Sequence, residues 1–358
     1  MLNNKGLSRH DNGQFGDVQR INGTPVPTRL TLFSIRGIFT SLHGAWSLVY
    51  QGFRGAMSQF LGVANAPCSW GVLDHEAEVS RPEFNTVLDE MAEAEYTGTE
   101  LGNIGFMPTD PDDLRAELFD RDLALVASFN VVNLSEPELG FIGDQQVLES
   151  AQLLADVGGP NSVIVLCDSI CTDPMRADYA GRIQPEQAME QDAWEFAAQT
   201  VNQIATQVMD STGLRTAYHP HCGTYIETPQ EIEFLLEVTH PHVVGLCIDT
   251  AHYSYGGGDP LHLVRRYGER IWHVHYKGYN ANLAAEARIR ETNYHQAIEQ
   301  GVFSELETSH VDFPAITEAL VDVGYDGWIV VEQDVMPGQG TPLESAKRNR
   351  DFLKGLGL

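Results

Sequence analysis

TAYHPHCGT (216–224), VVGLCIDTAH (243–252), IWHVHYKG (271–278) and WIVVEQD (328–334) are the stretches on which the reading of this 358-residue chain turns. Each is a short apolar run rich in β-branched and aromatic residues, and each is followed by a helix-start signal, so each reads as a buried strand. His219, His221, Asp249, His252, His273, His275 and Glu332 fall at or near the C-terminal ends of these runs. Imidazole and carboxylate groups gathered at successive strand ends can share one divalent cation.

Outward from that core, strand and helix alternate from Phe60 onward. Strands are predicted at 61–66, 98–102, 123–130, 162–167, 214–219, 243–248, 271–276 and 328–332. Helical patterns lie around 81–95, 111–121, 144–157, 184–211, 229–237, 260–268, 313–323 and 342–354. Thr228-Pro229-Gln230-Glu231 and Thr341-Pro342-Leu343-Glu344 each place a hydroxyl at the cap, proline first and glutamate third, and Asp259-Pro260 is similar. Such pairs with near-continuous apolar strands predict a closed parallel (β/α)8 TIM barrel spanning 59–358 as a single domain. A doubly wound open sheet is the runner-up, but Ala64-Asn65-Ala66-Pro67 stands where its glycine-rich phosphate turn would follow the first strand. In a barrel the C-terminal rim carries the chemistry, and every candidate ligand sits there.

Strand alternation lets His219 and His221 point the same way, as it does His273 and His275. One histidine per strand suffices for a ligand, and the second can meet the substrate; His219 and His221 both remain open for the fifth strand. With Asp249 and Glu332 they make a mixed nitrogen and oxygen set suited to Mn²⁺, Co²⁺, Zn²⁺ or Fe²⁺.

The formal charge of −28 repels phosphate backbones and anionic membranes, so nucleic acid and membrane are not expected partners. Five cysteines without disulfide spacing fit a reducing, cytoplasmic compartment. Cys222 adjoins the histidines and is a minor candidate for a thiolate ligand. Residues 1–58 read as an N-terminal extension: 1–56 hold six basic against two acidic residues, leaving −32 on the remainder. Arg36 and His43 break the apolar run there, so it is too interrupted to span a membrane.

NAPCSWG (65–71), YTGTELGN (96–103), YHPHCGTYIETP (218–229), DTAHYSYGGGDP (249–260), HVHYKG (273–278) and HVDFPAI (310–316) resemble the xylose-isomerase-like barrel superfamily of sugar isomerases and epimerases. The motifs look closest to its branch of inosose dehydratases and rhizopine-catabolism proteins, from about residue 61 to the C-terminus. That resemblance implies a divalent ion, usually Mn²⁺ or Co²⁺ with Mg²⁺ also admissible, held by His219, Asp249, His275 and Glu332. It implies a lyase that removes water from 2-keto-myo-inositol through a metal-stabilised enediolate. Many superfamily epimerases carry glutamate where this chain reads Tyr218-His219-Pro220-His221, a departure that removes one carboxylate of their acid/base pair.

Eliminating water β to a ketone requires carbonyl polarisation, removal of the α proton and protonation of the departing hydroxyl. His221, Lys277 and Glu100 are the catalytic candidates, with His252 also able to transfer a proton. Trp70, Asn103, His252 and His273 are candidate contacts for a polyol or keto-sugar. The span 279–310 exceeds an ordinary connection, reads helical in its middle and is expected to be a lid or an oligomer contact. A metal-dependent ketose epimerase or isomerase is the alternative activity, and a sugar-binding barrel without turnover is a remote one. A homo-oligomer is compatible with either.

Overall fold

The computed structural model describes residues 61–72, 82–134, 144–159, 161–334 and 340–358; the N-terminal extension expected at 1–58 lies outside them. Leu61–Asn65 (β1), Gly98–Glu100 (β2), Ala124–Val132 (β3), Val163–Asp168 (β4), Arg215–Tyr218 (β5), Val244–Asp249 (β6) and Ile271–Tyr276 (β7) follow one another around a closed barrel. Gly278–Tyr279 (β8) and Phe303–Ser304 (β9) pair antiparallel outside it. Gly327–Val331 (β10) then closes the ring between β7 and β1. Every barrel pairing is parallel, as strands separated by helices require. The expected (β/α)8 TIM barrel is therefore the fold.

Two apolar layers hold it. Ala64, Val126, Val163, Val165, Ala217, Cys247 and Val330 form one compact cluster of mostly small side chains. Outside the strands, larger residues such as Leu88, Leu154, Ile164, Ile248 and Phe313 build the main core against the helices. A bulge in β7 sets the phase of the site. Leu246 pairs Ile271, but Cys247 pairs His273, so Trp272 is the extra residue. After that shift His273 and His275 share a face with Cys247 and Asp249.

The helix starts behave as their chemistry predicts. Thr228 and Thr341 each close a capping box with Glu231 and Glu344, and the Asp259 side chain accepts from the Leu261 and His262 amides. Two short helices lie outside the sequence reading, Pro174–Tyr179 and Thr250–Tyr255. At six residues each, neither shows enough of a 3.6-residue period to stand out. No helix among the described residues is long and apolar enough to cross a membrane, and all five cysteines are free.

Arg176, on the first of those short helices, is fully buried. Its guanidinium pairs with both oxygens of Glu231 at 2.9 and 3.0 Å and donates to the Thr224 carbonyl at 2.7 Å. It thereby ties the loop that follows β5 to the helix Pro229–Val238. Replacing Arg176 with methionine strands the Glu231 charge in the interior. Denaturant unfolding of Arg176→Met is expected to show a loss of about 3–5 kcal/mol.

Candidate metal centre

Four donors reach the barrel mouth from four adjacent strands. His219 follows β5, Asp249 ends β6, His275 lies in β7 and Glu332 follows β10. One ligand atom from each lies within 4.8 Å of the others. His219, Asp249 and His275 are at most 2% exposed and Glu332 is 8% exposed. His219 Nε2 is 3.9 Å from Asp249 Oδ2, and His275 Nδ1 is 3.1 Å from Glu332 Oε1. Both ring nitrogens of His219, Asp249 Oδ2 and His275 Nδ1 have no hydrogen-bond partner although they are buried. Leaving these polar atoms dry and unpaired in one spot is costly, and a shared cation would satisfy one nitrogen of each ring together with the carboxylate oxygen. The residues fit a divalent ion.

Glu100 sits beneath this set. Its Oε1 accepts from His275 Nε2 at 2.9 Å and from His273 Nε2 at 2.7 Å. Burial would raise the Glu100 carboxyl, but His275 and His273 hold it well below the usual carboxylate range. With the Nε2 proton committed to Glu100, His275 presents Nδ1 to Glu332. His273 lies two residues, roughly 7 Å, deeper in the barrel and faces Glu100. Cys247 Sγ makes a second compact group with His219 and His275. Cys222 is aimed elsewhere, its thiol donating to the His252 carbonyl at 3.2 Å.

The backbone of one residue, Cys222, organises the remaining histidines. His221 Nδ1 donates to the Cys222 carbonyl at 2.7 Å, and the Cys222 amide donates to His252 Nδ1 at 3.3 Å. The two rings lie 3.8 Å apart. Burial pushes both imidazoles well below the ordinary histidine value, and neighbouring His219 and Lys277 push the same way. Each is therefore neutral, and the hydrogen bonds fix opposite tautomers: His221 keeps a bare Nε2, while His252 carries its proton on a buried, unpartnered Nε2.

Lys277 Nζ is 3.0 Å from Asp334 Oδ2 and 3.6 Å from Glu332 Oε2, over the Phe303 ring. Burial favours loss of its proton, but Asp334, Glu332 and Asp249 hold it well above the ordinary lysine value, as an ammonium. Two other candidates are placed by contacts outside this set of donors. Trp70 is packed in the main core and donates its indole proton to Glu90 at 2.6 Å. Asn103 lines a groove of about 370 Å³ with Phe84, Ile104 and Phe106.

The span 279–310 folds as the helices Ala281–Arg290 and Tyr294–Glu299 before β9. It delivers two aromatics that the sequence reading did not single out. Phe303 packs edge-on to His252 at 4.8 Å, and the Tyr294 hydroxyl is 3.4 Å from His221 Nε2. Asp334 was also missed, although it follows Glu332 by two residues in a stretch already singled out.

A closed parallel barrel with a buried histidine–carboxylate set at its C-terminal mouth has the plan of a TIM-barrel enzyme, whose chemistry sits at that rim. The sequence model of the xylose isomerase-like TIM barrel family matches residues 88–356, and the chain belongs to that family. Inosose dehydratase of Geobacillus kaustophilus is 31% identical over 298 residues, 81% of this chain and 93% of the relative. The rhizopine catabolism protein MocC of Rhizobium meliloti is 32% identical over 266 residues, 74% of this chain and 79% of the relative. Among solved structures, L-ribulose 3-epimerase superposes with a TM-score of 0.60 at 16% identity, covering 83% of this chain and 94% of that one. The probable 3-DHS dehydratase AsbF of Bacillus anthracis gives 0.59 at 14%, covering 82% and 99%. At such identities these two establish the shared fold. With the dehydratase relatives, the chain is an enzyme of the dehydratase type.

Glu227 ties the loop after β5 to its surroundings, accepting from the Gly223 amide at 2.8 Å and the Gly181 amide at 2.6 Å. Burial pushes its carboxyl up to about 7, against the pull of those amides and of Arg176. The unfolded chain releases this proton near 4.5, so the stability Glu227 contributes is complete below that pH. It declines as pH rises and is lost above about 7. Unfolding curves from about pH 5 to about pH 8 should show wild type losing up to about 3 kcal/mol relative to Glu227→Gln.

Proposed function

We propose that this enzyme eliminates water from a keto-inositol of the 2-keto-myo-inositol type, with a divalent cation held by His219, Asp249, His275 and Glu332. The observation that carries this reading is the convergence of those four buried donors, two nitrogens and two carboxylates, within 4.8 Å. The relatives named inosose dehydratase supply the substrate class. Mn²⁺ or Co²⁺ is the ion proposed, on the resemblance to the inosose dehydratase branch; the mixed nitrogen and oxygen ligation itself also admits Zn²⁺, Fe²⁺ or Mg²⁺. When bound, the cation supplies a Lewis acid for the ketone and the charge of its enediolate.

The chain's own groups divide the remaining work. Neutral His221 offers a bare Nε2 as the base for the α proton. The Lys277 ammonium, backed by Asp334, protonates the departing hydroxyl. His252 donates its unpartnered Nε2 proton to a substrate oxygen. Glu100, with one oxygen already shared by two imidazoles, orients His275 instead of exchanging protons with substrate.

Epimerisation is the second reading, favoured by the fold shared with L-ribulose 3-epimerase. The stretch Tyr218-His219-Pro220-His221, where many epimerases of the superfamily have a glutamate, leaves the carboxylate pair incomplete and weighs against it.

Purified protein assayed against keto-inositols and ketoses separates the two. Dehydration produces a conjugated dione with new ultraviolet absorbance, whereas epimerisation produces none. The absorbance is expected with keto-inositol, to vanish after chelation and to return with Mn²⁺ or Co²⁺; turnover of ketoses alone, or insensitivity to chelator, would remove the proposal. Glu100→Gln should bind Mn²⁺ roughly 10–100-fold more weakly in calorimetric titration, with its fold retained by circular dichroism. Affinity equal to wild type would take the orienting role away from Glu100.

A further inference from the structure

The span that follows β7 leaves the barrel, yet it returns one polar atom to the mouth. Tyr294 opens the helix Tyr294–Glu299 behind an Asn293–Gln296 capping box, and it is 6% exposed. Its ring lies against Gly223 and, at 5.5 Å between centroids, beside His221. The hydroxyl is 3.4 Å from His221 Nε2. Because His221 Nδ1 already donates to the Cys222 carbonyl, Nε2 is left as the ring's acceptor and the tyrosine hydroxyl as the donor.

The placement is fastened from both sides. Arg288 donates to the Gly181 carbonyl at 2.7 Å and the Tyr255 carbonyl at 2.8 Å. In the opposite direction Arg182 donates to the Thr292 carbonyl at 2.7 Å and that of Glu291 at 3.1 Å. Each arginine thus satisfies at least one carbonyl of the other's segment, and Thr292, bound by Arg182, lies two residues before Tyr294. Gly181 (φ +77°) lies so close under the Tyr255 ring that a Cβ there would come within 2.6 Å of it. Burial, and beyond it Asp334 and Cys222, push the Tyr294 phenol well above its ordinary value, which keeps it a donor.

We propose that Tyr294 is a positioning residue for the elimination, holding His221 between its own hydroxyl and the Cys222 carbonyl so that the bare Nε2 stays aimed into the mouth. The contact fixes a tautomer and a ring orientation, with no change of charge. A 3.4 Å bond is long for O–H···N, so it steers the lone pair and is readily given up when substrate arrives. The kinetic part rests on the dehydratase reading; the contact itself does not.

Tyr294→Phe tests it, since the ring and its packing remain while the hydroxyl goes. In the Zn²⁺- or Mg²⁺-loaded protein, long-range ¹⁵N–¹H spectra of the histidines should show His221 protonated at Nδ1 and His252 at Nε2. In Tyr294→Phe the His221 Nε2 signal should move toward that of an unbonded imidazole nitrogen. With keto-inositol, kcat should fall tenfold or more while KM stays within about threefold. An unmoved His221 signal overturns the proposal, and so does kcat within twofold of wild type. If Tyr294→Ala loses stability while Tyr294→Phe matches wild type throughout, the residue only packs and the proposal is equally overturned. Absence of wild-type turnover on keto-inositols sinks the dehydratase reading alone, and the spectrum then decides the contact by itself.

Discussion

Two imidazoles and two carboxylates within 4.8 Å, almost wholly withdrawn from water, form an arrangement no folded chain keeps without compensation. Carboxylates repel one another in such a place, and unpaired lone pairs forfeit their hydration. Barrel closure imposes the proximity: with β10 sealed between β7 and β1, the strand ends have no freedom to spread. The main core of large side chains outside the strands stabilises that closure, so apolar burial holds the polar groups at close range. The electrostatic stress is local, and it is the property that makes the mouth attractive to a cation.

Around that point the protein arranges two kinds of support. Beneath the mouth, Glu100 accepts from both histidines of β7 and thereby decides which nitrogen of His275 faces Glu332. Beside it, the backbone of Cys222 accepts from one imidazole through its carbonyl and donates to the next through its amide, giving neighbouring rings opposite hydrogen-bond characters. Neutral rings can hold those characters only because burial keeps them from charging. Lys277 is the converse case, kept charged by the carboxylates of Asp334 and Glu332.

The excursion after β7 is built differently from the barrel. It is anchored by β8 and β9, where Gly278 lies so close to the Ser304 carbonyl that a Cβ would approach within 2.1 Å. Beyond that pairing, arginine-to-carbonyl bonds fasten it to the segment around Gly181. Phe303 and Tyr294 so reach the histidines from outside the strand system.

The sequence by itself determined the barrel, because strand burial and helix capping are local. Runs such as SVIVLC and boxes such as Thr228–Glu231 carry their structure within a few residues. The grouping of His219, Asp249, His275 and Glu332 at one rim was legible for the same reason, each sitting at the end of its own strand. Which atoms meet was not legible. The bulge at Trp272, the commitment of Glu100 to two imidazoles, the placement of Trp70 against Glu90 and the approach of Tyr294 all depend on segments far apart in the chain. Periodicity reports which face of an element is apolar; it carries no information on the partner across the gap, and only the closed tertiary structure supplies that.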